Sequence, residues 1–454
     1  MDLKKVEKRR ETRRFFIIME GWITMIKLQI SENKQYFVNE DKPFFYLADT
    51  IWSAFTNITL EEWSYYLDYR KSQGFNVLQM NLLRQWDASG CELNYEPFHL
   101  CEDGTYDFYS LNESYFSRAE KMVKMAVDKG FVPALVLLWC NYIPDTWASK
   151  IREDKKMPLD AVEPYVNAVA DRFSKYYPIY MVSGDTDFPS QRANEYYETA
   201  LHVIKERSPE CLATLHIQGR LAELPESFIN DPQLDFYMYQ SGHNIQFQST
   251  AYTLAKHFSN QPVTRPVLNS EPCYEMMGYS RQLYGRFSRS DVRKTAWQSV
   301  LSGAASGITY GAHGIWSWHK KGERFGVTGE GFDSPYDWQT ALRFEGAWDY
   351  GFIKWVFQMY ELTNLKPWDI VLKNTDEICA ATTEDLSKVL IYVPVNTVLK
   401  LNADLSGYEF TLIELEQRRV AEVTATVENN MTIIGMHNFT CDVLLIGKKI
   451  DEVI

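Results

Sequence analysis

Cysteine is scarce in this sequence and carries no pattern. There are 7 among 454 residues, with no Cys-x-x-Cys and no regular spacing. That excludes a disulfide framework and leaves reduced, buried thiols. Positive charge is also short, at 47 Lys+Arg against 60 Asp+Glu, for a net charge of -13. Phosphate backbones and anionic lipid surfaces need a basic face, so neither nucleic acid nor a membrane is expected as a partner. Long apolar runs are missing from the start of the chain. Residues 15–19 form a short apolar patch after a basic stretch at 1–14, but Glu20 interrupts it and no small-x-small cleavage site follows. The expectation is neither a signal peptide nor an anchor, with Met25 as an alternative start and the cytoplasm as the working place. Internal repeats and low-complexity tracts are absent as well.

Aromatic residues, by contrast, are abundant at 15%, including 13 Trp and 28 Tyr. Many must fill the core. The surplus still points to sugars, whose apolar C–H faces pack well on indole and phenol rings. A hydrophobic content of 45% over 454 residues supports a large core, either as several domains or as one large barrel and a small domain.

Short apolar runs recur along the chain. They fall at 44–50, 75–83, 131–139, 178–183, 212–216, 234–240, 266–270 and 307–310. Helical patterns separate them, one opened by a capping box at Thr59 and Glu62 and closed at Gly74. Strands alternating with helices at this spacing predict parallel βαβ units. Eight units predict a (β/α)8 TIM barrel, an α/β fold. A doubly wound sheet is the rival, but no Gly-x-Gly-x-x-Gly turn follows the first strand. After Trp368 the pattern changes to short β-type runs with turns at Ser406-Gly407 and Asn429-Asn430, which predict a small C-terminal antiparallel β-sandwich. The expected division is a leader and strand at 1–39, the barrel at 40–365 and the sandwich at 366–454. The long stretch 84–112, rich in Trp, Tyr and acidic residues, reads as a functional loop.

Two acidic stretches organise the chain, Met181-Val-Ser-Gly-Asp-Thr-Asp187 and Pro266-Val-Leu-Asn-Ser-Glu-Pro-Cys-Tyr-Glu275. Each is a predicted strand that breaks at its C-terminal end into small residues and carboxylates. Barrel chemistry sits at that end. Asp185 and Glu271 are therefore expected to face each other across one pocket, and paired carboxylates are what glycosidic cleavage requires. Asp187 competes with Asp185 for the acid role. Gly184 is expected to open the fourth strand toward a ligand. Around the pair, Asp49, Trp52, Gln79, Asn81, Trp139, Asp187, His216, Gln240, His243, Glu275, His313 and Trp316 fall at predicted strand ends and are candidate substrate contacts. Trp86 and Trp318 lie nearby. His216, His243 and His313 also raise a metal-dependent hydrolase. Without His-x-His or His-x-x-x-His spacing, neither a metal nor another cofactor is expected.

The set of stretches Phe45-Tyr-Leu-Ala-Asp-Thr, Gly74-Phe-Asn-Val-Leu-Gln, Ser183-Gly-Asp, Gln240-Ser-Gly-His243, Pro266-Val-Leu-Asn-Ser-Glu-Pro-Cys-Tyr-Glu275 and Tyr310-Gly-Ala-His-Gly-Ile-Trp316 resembles the apiosidase-like barrel family of glycoside hydrolases, in order, over about residues 40 to 360. The resemblance implies an acid/base after strand four, Asp185, and a nucleophile after strand seven, Glu271. It also implies a glycosidase acting on plant-derived, apiose-containing or other pectic oligosaccharides, retaining with the carboxyls about 5–5.5 Å apart and inverting at roughly 6.5–9.5 Å, and a collagen-binding-type β-sandwich behind the barrel. One departure stands out. Most such barrels carry Glu after Asn at strand four, and here Asp follows Gly. A non-catalytic carbohydrate-binding protein on a decayed barrel is the alternative. The number of subunits is not legible.

Overall fold

A computed structural model describes residues 25–151, 155–326 and 331–450. The stretch 1–24, on which the leader expectation falls, lies outside them. Eight parallel strands form one sheet. They are β1 (Tyr46–Thr50), β2 (Val77–Asn81), β3 (Val132–Trp139), β4 (Ile179–Gly184), β5 (Ala213–Thr214), β6 (Tyr237–Tyr239), β7 (Val267–Asn269) and β8 (Gly307–Tyr310). Their order is β5-β4-β3-β2-β1-β8-β7-β6. Closure between β5 and β6 runs through single bonds, from Asp235 N to Ala213 O at 3.0 Å and from Thr214 Oγ1 to Phe236 O at 2.7 Å. The result is a (β/α)8 barrel. β3 is buried at all eight positions, as a parallel strand covered on both faces requires.

The main outer helices are α1 (Leu60–Ser72), α2 (Glu113–Asp128), α3 (Val162–Phe173), α4 (Gln191–Arg207), α5 (Thr250–Ser259), α6 (Arg289–Leu301) and α7 (Gly346–Met359). The capping box at Thr59 and Glu62 starts α1, and Gly74, at φ +92°, takes the left-handed turn after it.

Three local expectations change. The fifth strand is two residues long, because Ser183 Oγ, not a ladder N–H, donates to His216 O at 3.0 Å. Residues 337–360, whose pattern predicts one last barrel helix, are instead divided into a short helical turn at Trp338–Ala341 and α7. The break seats Gly346 N on Glu275 Oε2 at 2.9 Å, and a Cβ at Gly346 would lie 2.4 Å from that oxygen. Within 84–112, strands Phe98–Leu100 and Tyr106–Leu111 form a small hairpin.

Behind the barrel lie a six-stranded and a three-stranded sheet, antiparallel throughout. In Lys388–Val393, Leu390 and Tyr392 join the barrel's apolar cluster, while Val389, Ile391 and Val393 join the sandwich's own core. The period of two lets one strand serve both layers. Among the described residues, no helix is long and apolar enough to cross a membrane.

Candidate active site

A cavity opens to solvent at the C-terminal ends of the strands. Every strand end contributes to its wall, among them Trp52 after β1, Asp87 after β2, Trp139 on β3, Asp185 after β4, Arg220 after β5, His243 after β6, Glu271 after β7 and Trp316 after β8. Asp185 and Glu271 thus share one pocket.

Glu271 is the fixed point. His243 Nε2 lies 2.8 Å from its Oε1, and His216 Nε2 lies 3.1 Å from its Oε2. The Asp185 backbone N–H donates to His216 Nδ1 at 3.1 Å. That bond leaves the ring proton on Nε2, facing Glu271. The contact is close but not aligned as a hydrogen bond, and His216 Nε2 and Glu271 Oε2 both lack an aligned partner. Burial works to raise the Glu271 pKa. The hydrogen bond with His243 and the close contact with His216 outweigh it and hold the carboxyl below the usual carboxylate range. An ionised carboxylate at the end of strand seven is the state a nucleophile needs.

His216 is fully buried and clasped by indoles, with ring centroids 5.2 Å from Trp52 and 5.7 Å from Trp139. Gly184 makes this packing possible, since a Cβ there would sit 2.4 Å from the Trp139 ring. The glycine expected to admit a ligand instead admits a tryptophan. Asp185 follows at φ +54°, in the left-handed region, and its carbonyl accepts from Trp147 Nε1 at 2.8 Å. Asp187 does not line the cavity, and its Oδ1 accepts from Trp147 N at 3.4 Å.

The cavity wall carries polar atoms that are buried and unpartnered in the protein. They include Trp139 Nε1, Gln240 Oε1, His243 Nδ1, Asn244 Nδ2, Glu271 Oε2 and Ser280 Oγ. Buried polar groups are normally satisfied. Residues carrying such groups line one space with Trp52, Trp86, Trp139, Trp147 and Trp316, a mixture that suits a polyhydroxylated ligand with apolar faces.

Several candidates are placed elsewhere. Asp49 is fully buried in an ion pair with Arg70 and accepts from Tyr66 OH at 2.7 Å. Gln79 turns inward and donates to Thr309 Oγ1 at 2.6 Å. Glu275 accepts from Tyr310 OH at 2.5 Å as well as from Gly346 N. His313 Nε2 lies 2.7 Å from Asp333 O, and its Nδ1 accepts from Trp316 Nε1 at 3.1 Å; it holds Trp316 from behind. The three histidines therefore do not converge. Asn81 stays behind the wall and donates to Gln85 Oε1 at 2.8 Å. Among the described residues the one grouping with metal-ligand spacing is Glu414, Glu416 and Cys441, on the sandwich.

The residues missed in the sequence are Gln85, Asp87, Trp147, Arg220 and Asn244, all on the cavity wall. They sit in loops, where no periodicity marks a facing side. The acidic, Trp-rich character of 84–112 was the available signal for Asp87.

The family model described as apiosidase-like, catalytic domain, matches residues 31–364. No curated protein sequence matches the chain. A solved structure titled a glycoside hydrolase superposes with a TM-score of 0.76 at 21% identity, covering 93% of this chain and 97% of that one. A glycoside hydrolase family 5 structure from Bacteroides vulgatus ATCC 8482 gives 0.77 at 21% identity, with 93% of each chain covered. A family 5 mannosidase from Rhizomucor miehei gives 0.51 at 11% identity, over 74% of this chain and 99% of that one. At these identities the structures speak for the fold.

Proposed function

Since the chain belongs to the apiosidase-like family and is a glycoside hydrolase, we propose that it cleaves with retention, using Glu271 as nucleophile and Asp185 as general acid/base. The observation that carries this reading is the bridge made by His216, whose two nitrogens face the Asp185 backbone and the Glu271 carboxylate. One imidazole thereby fixes the relative position of the two strand ends. In a retaining mechanism Glu271 attacks the anomeric carbon while Asp185 protonates the departing oxygen. Asp185 then takes a proton from the water that releases the sugar. The ionised state of Glu271 supports the nucleophile assignment. The position of Asp187 against Trp147 supports Asp185 as the acid.

The substrate we infer is a plant-derived oligosaccharide, apiose-containing or otherwise pectic. Family membership supports it. Arg220 adds support, because a guanidinium on the cavity wall suits the carboxylate of an acidic pectic sugar. We also propose a cytoplasmic working place, supported by seven unpaired thiols and checked by fractionating source cells.

Turnover of pectic oligosaccharides and nitrophenyl glycosides, with NMR of the first anomer released, tests the mechanism. Glu271→Gln is expected to lower kcat by roughly 10³-fold or more. Asp185→Asn should lose about 10²–10⁴-fold on poor leaving groups and far less on activated ones, while Asp187→Asn keeps most activity. An inverted first product ends the retaining reading. Undiminished turnover in Glu271→Gln ends the assignment of the site.

A further inference from the structure

A third carboxyl group faces the cavity, and neither the nucleophile nor the acid/base role uses it. Asp87 follows β2 and lies on the same wall as Glu271 and Asp185. Its Oδ1 accepts from Gln85 Nε2 at 2.9 Å, and Gln85 is itself held by Asn81. The loop beyond is pinned on both sides. Asn57 Nδ2 donates to Ser89 O at 2.9 Å, and Ser89 Oγ lies 3.0 Å from His319 Nδ1. Asp87 is thus aimed by a chain of amides on a fixed loop.

Among the described residues no cation pairs with it. The other charged and titratable groups on the cavity wall are Glu271, Asp185, His243, Tyr274 and Arg220, and no ion pair joins Asp87 to any of them among the described residues. Burial pushes its carboxyl up to about 6, the Gln85 hydrogen bond works against that rise, and the Glu271 charge adds to it. A carboxyl kept this way without a counter-ion costs stability. Hydroxyl donors from a ligand would offset that cost, because charge-assisted hydrogen bonds are the stronger kind. On the same wall Trp86 and Trp147 pack edge to face, with ring centroids 5.8 Å apart.

We propose that Asp87 is a substrate-binding residue whose carboxylate accepts hydrogen bonds from the hydroxyls of a sugar ring packed against Trp86 and Trp147. The proposal rests on the reading of the cavity as an oligosaccharide site. It adds a specificity determinant that the two-carboxylate mechanism does not require. A ring without hydroxyls positioned toward Asp87 would lose this grip, so the residue selects the sugar and leaves the bond-breaking step to Glu271 and Asp185.

The test uses full-length wild type, Asp87→Asn and Asp87→Glu. Kinetics on the oligosaccharide that wild type hydrolyses are combined with tryptophan-fluorescence titrations of apiose, arabinose, mannose and galacturonate from pH 4.5 to 8. In Asp87→Asn, KM and the sugar dissociation constant should rise about tenfold or more, the size of a lost charged hydrogen bond, with kcat little changed. Wild-type affinity should weaken as pH falls through about 6, and this inflection should vanish in Asp87→Asn. Asp87→Glu, which keeps the charge, should retain the inflection and also supplies the result if the Asn variant does not fold. Unchanged affinity and pH profile in Asp87→Asn overturn the proposal. So does a fall in kcat alone that an activated leaving group restores, which would make Asp87 the proton donor. If Glu271→Gln abolishes turnover while the Asp87 variants match wild type, this inference falls and the hydrolase reading stands. Neither turnover nor sugar binding by wild type removes both.

Discussion

The imidazole of His216 meets the Asp185 backbone on one edge and the Glu271 carboxylate on the other. Its position depends on two indoles, and the fit of one of them depends on Gly184 having no side chain. Glu275 shows the opposite fate for a carboxyl only four positions on. Burial raises its pKa to about 7, against the hydrogen bonds from Tyr310 and Gly346. An unfolded Glu titrates near about 4.3. Between those values the folded protein holds a proton that the unfolded chain has released. Stability from this group is therefore complete below about pH 4.3 and is lost as pH rises toward about 7, by up to roughly 4 kcal/mol. Glu275→Gln is expected to remove that slope. Thermal melts of both proteins across the window should show the variant gaining on wild type as pH rises. A constant difference between them would contradict the raised pKa.

At the scale of elements, local chemistry and tertiary demand divide the work. Helix α1 is written into its own ends. Thr59 accepts from Glu62 N at 3.2 Å, and Glu62 Oε2 accepts from Thr59 N at 3.0 Å. Thr59→Ala should cost about 1 kcal/mol, measured by urea unfolding with an unchanged slope. Glu62 is also tied to Lys320 at 2.6 Å, so its removal should cost more than the cap alone. Strands β5 to β7 are shorter than their apolar runs suggest. Beside β5 the side chains of Ser183 and Thr214 replace ladder bonds, and hydroxyl groups of that kind give no periodic signal. The broken helix before α7 was unreadable for a similar reason, since the break serves Glu275, seventy-one positions away.

Across the whole molecule, the barrel and the sandwich share a buried network. Arg293 on α6 contacts Asp442 at 2.6 Å and Asp349 at 2.9 Å, and Tyr392 OH donates to Asp442 at 3.0 Å. Both partners of the Arg293–Asp442 pair are nearly inaccessible, at 4% and 7%. Removing Asp442 leaves Arg293 with Asp349 alone and the Tyr392 hydroxyl without its acceptor, so Asp442→Ala should lower stability by about 2–3 kcal/mol. Chemical denaturation followed by tryptophan fluorescence measures this. Because neither Asp442 nor Arg293 lines the cavity, kcat/KM of the folded fraction should remain close to wild type. Loss of turnover in a fully folded variant would mean that the sandwich tunes the site.

The sequence by itself determined the kind of fold and the two carboxylates on which the reading rests. Alternating apolar runs, helix caps and the positions of Asp185 and Glu271 at strand ends are local features, and local features are legible. It could not say which polar side chains turn toward the cavity. Asp49, Gln79 and Glu275 sit on or beside strands as Glu271 does, yet they turn to Arg70, Thr309 and Tyr310. Asp87, on an irregular loop, lines the cavity. That choice depends on partners brought close only when the barrel closes, because a buried polar group goes where its hydrogen bonds are met.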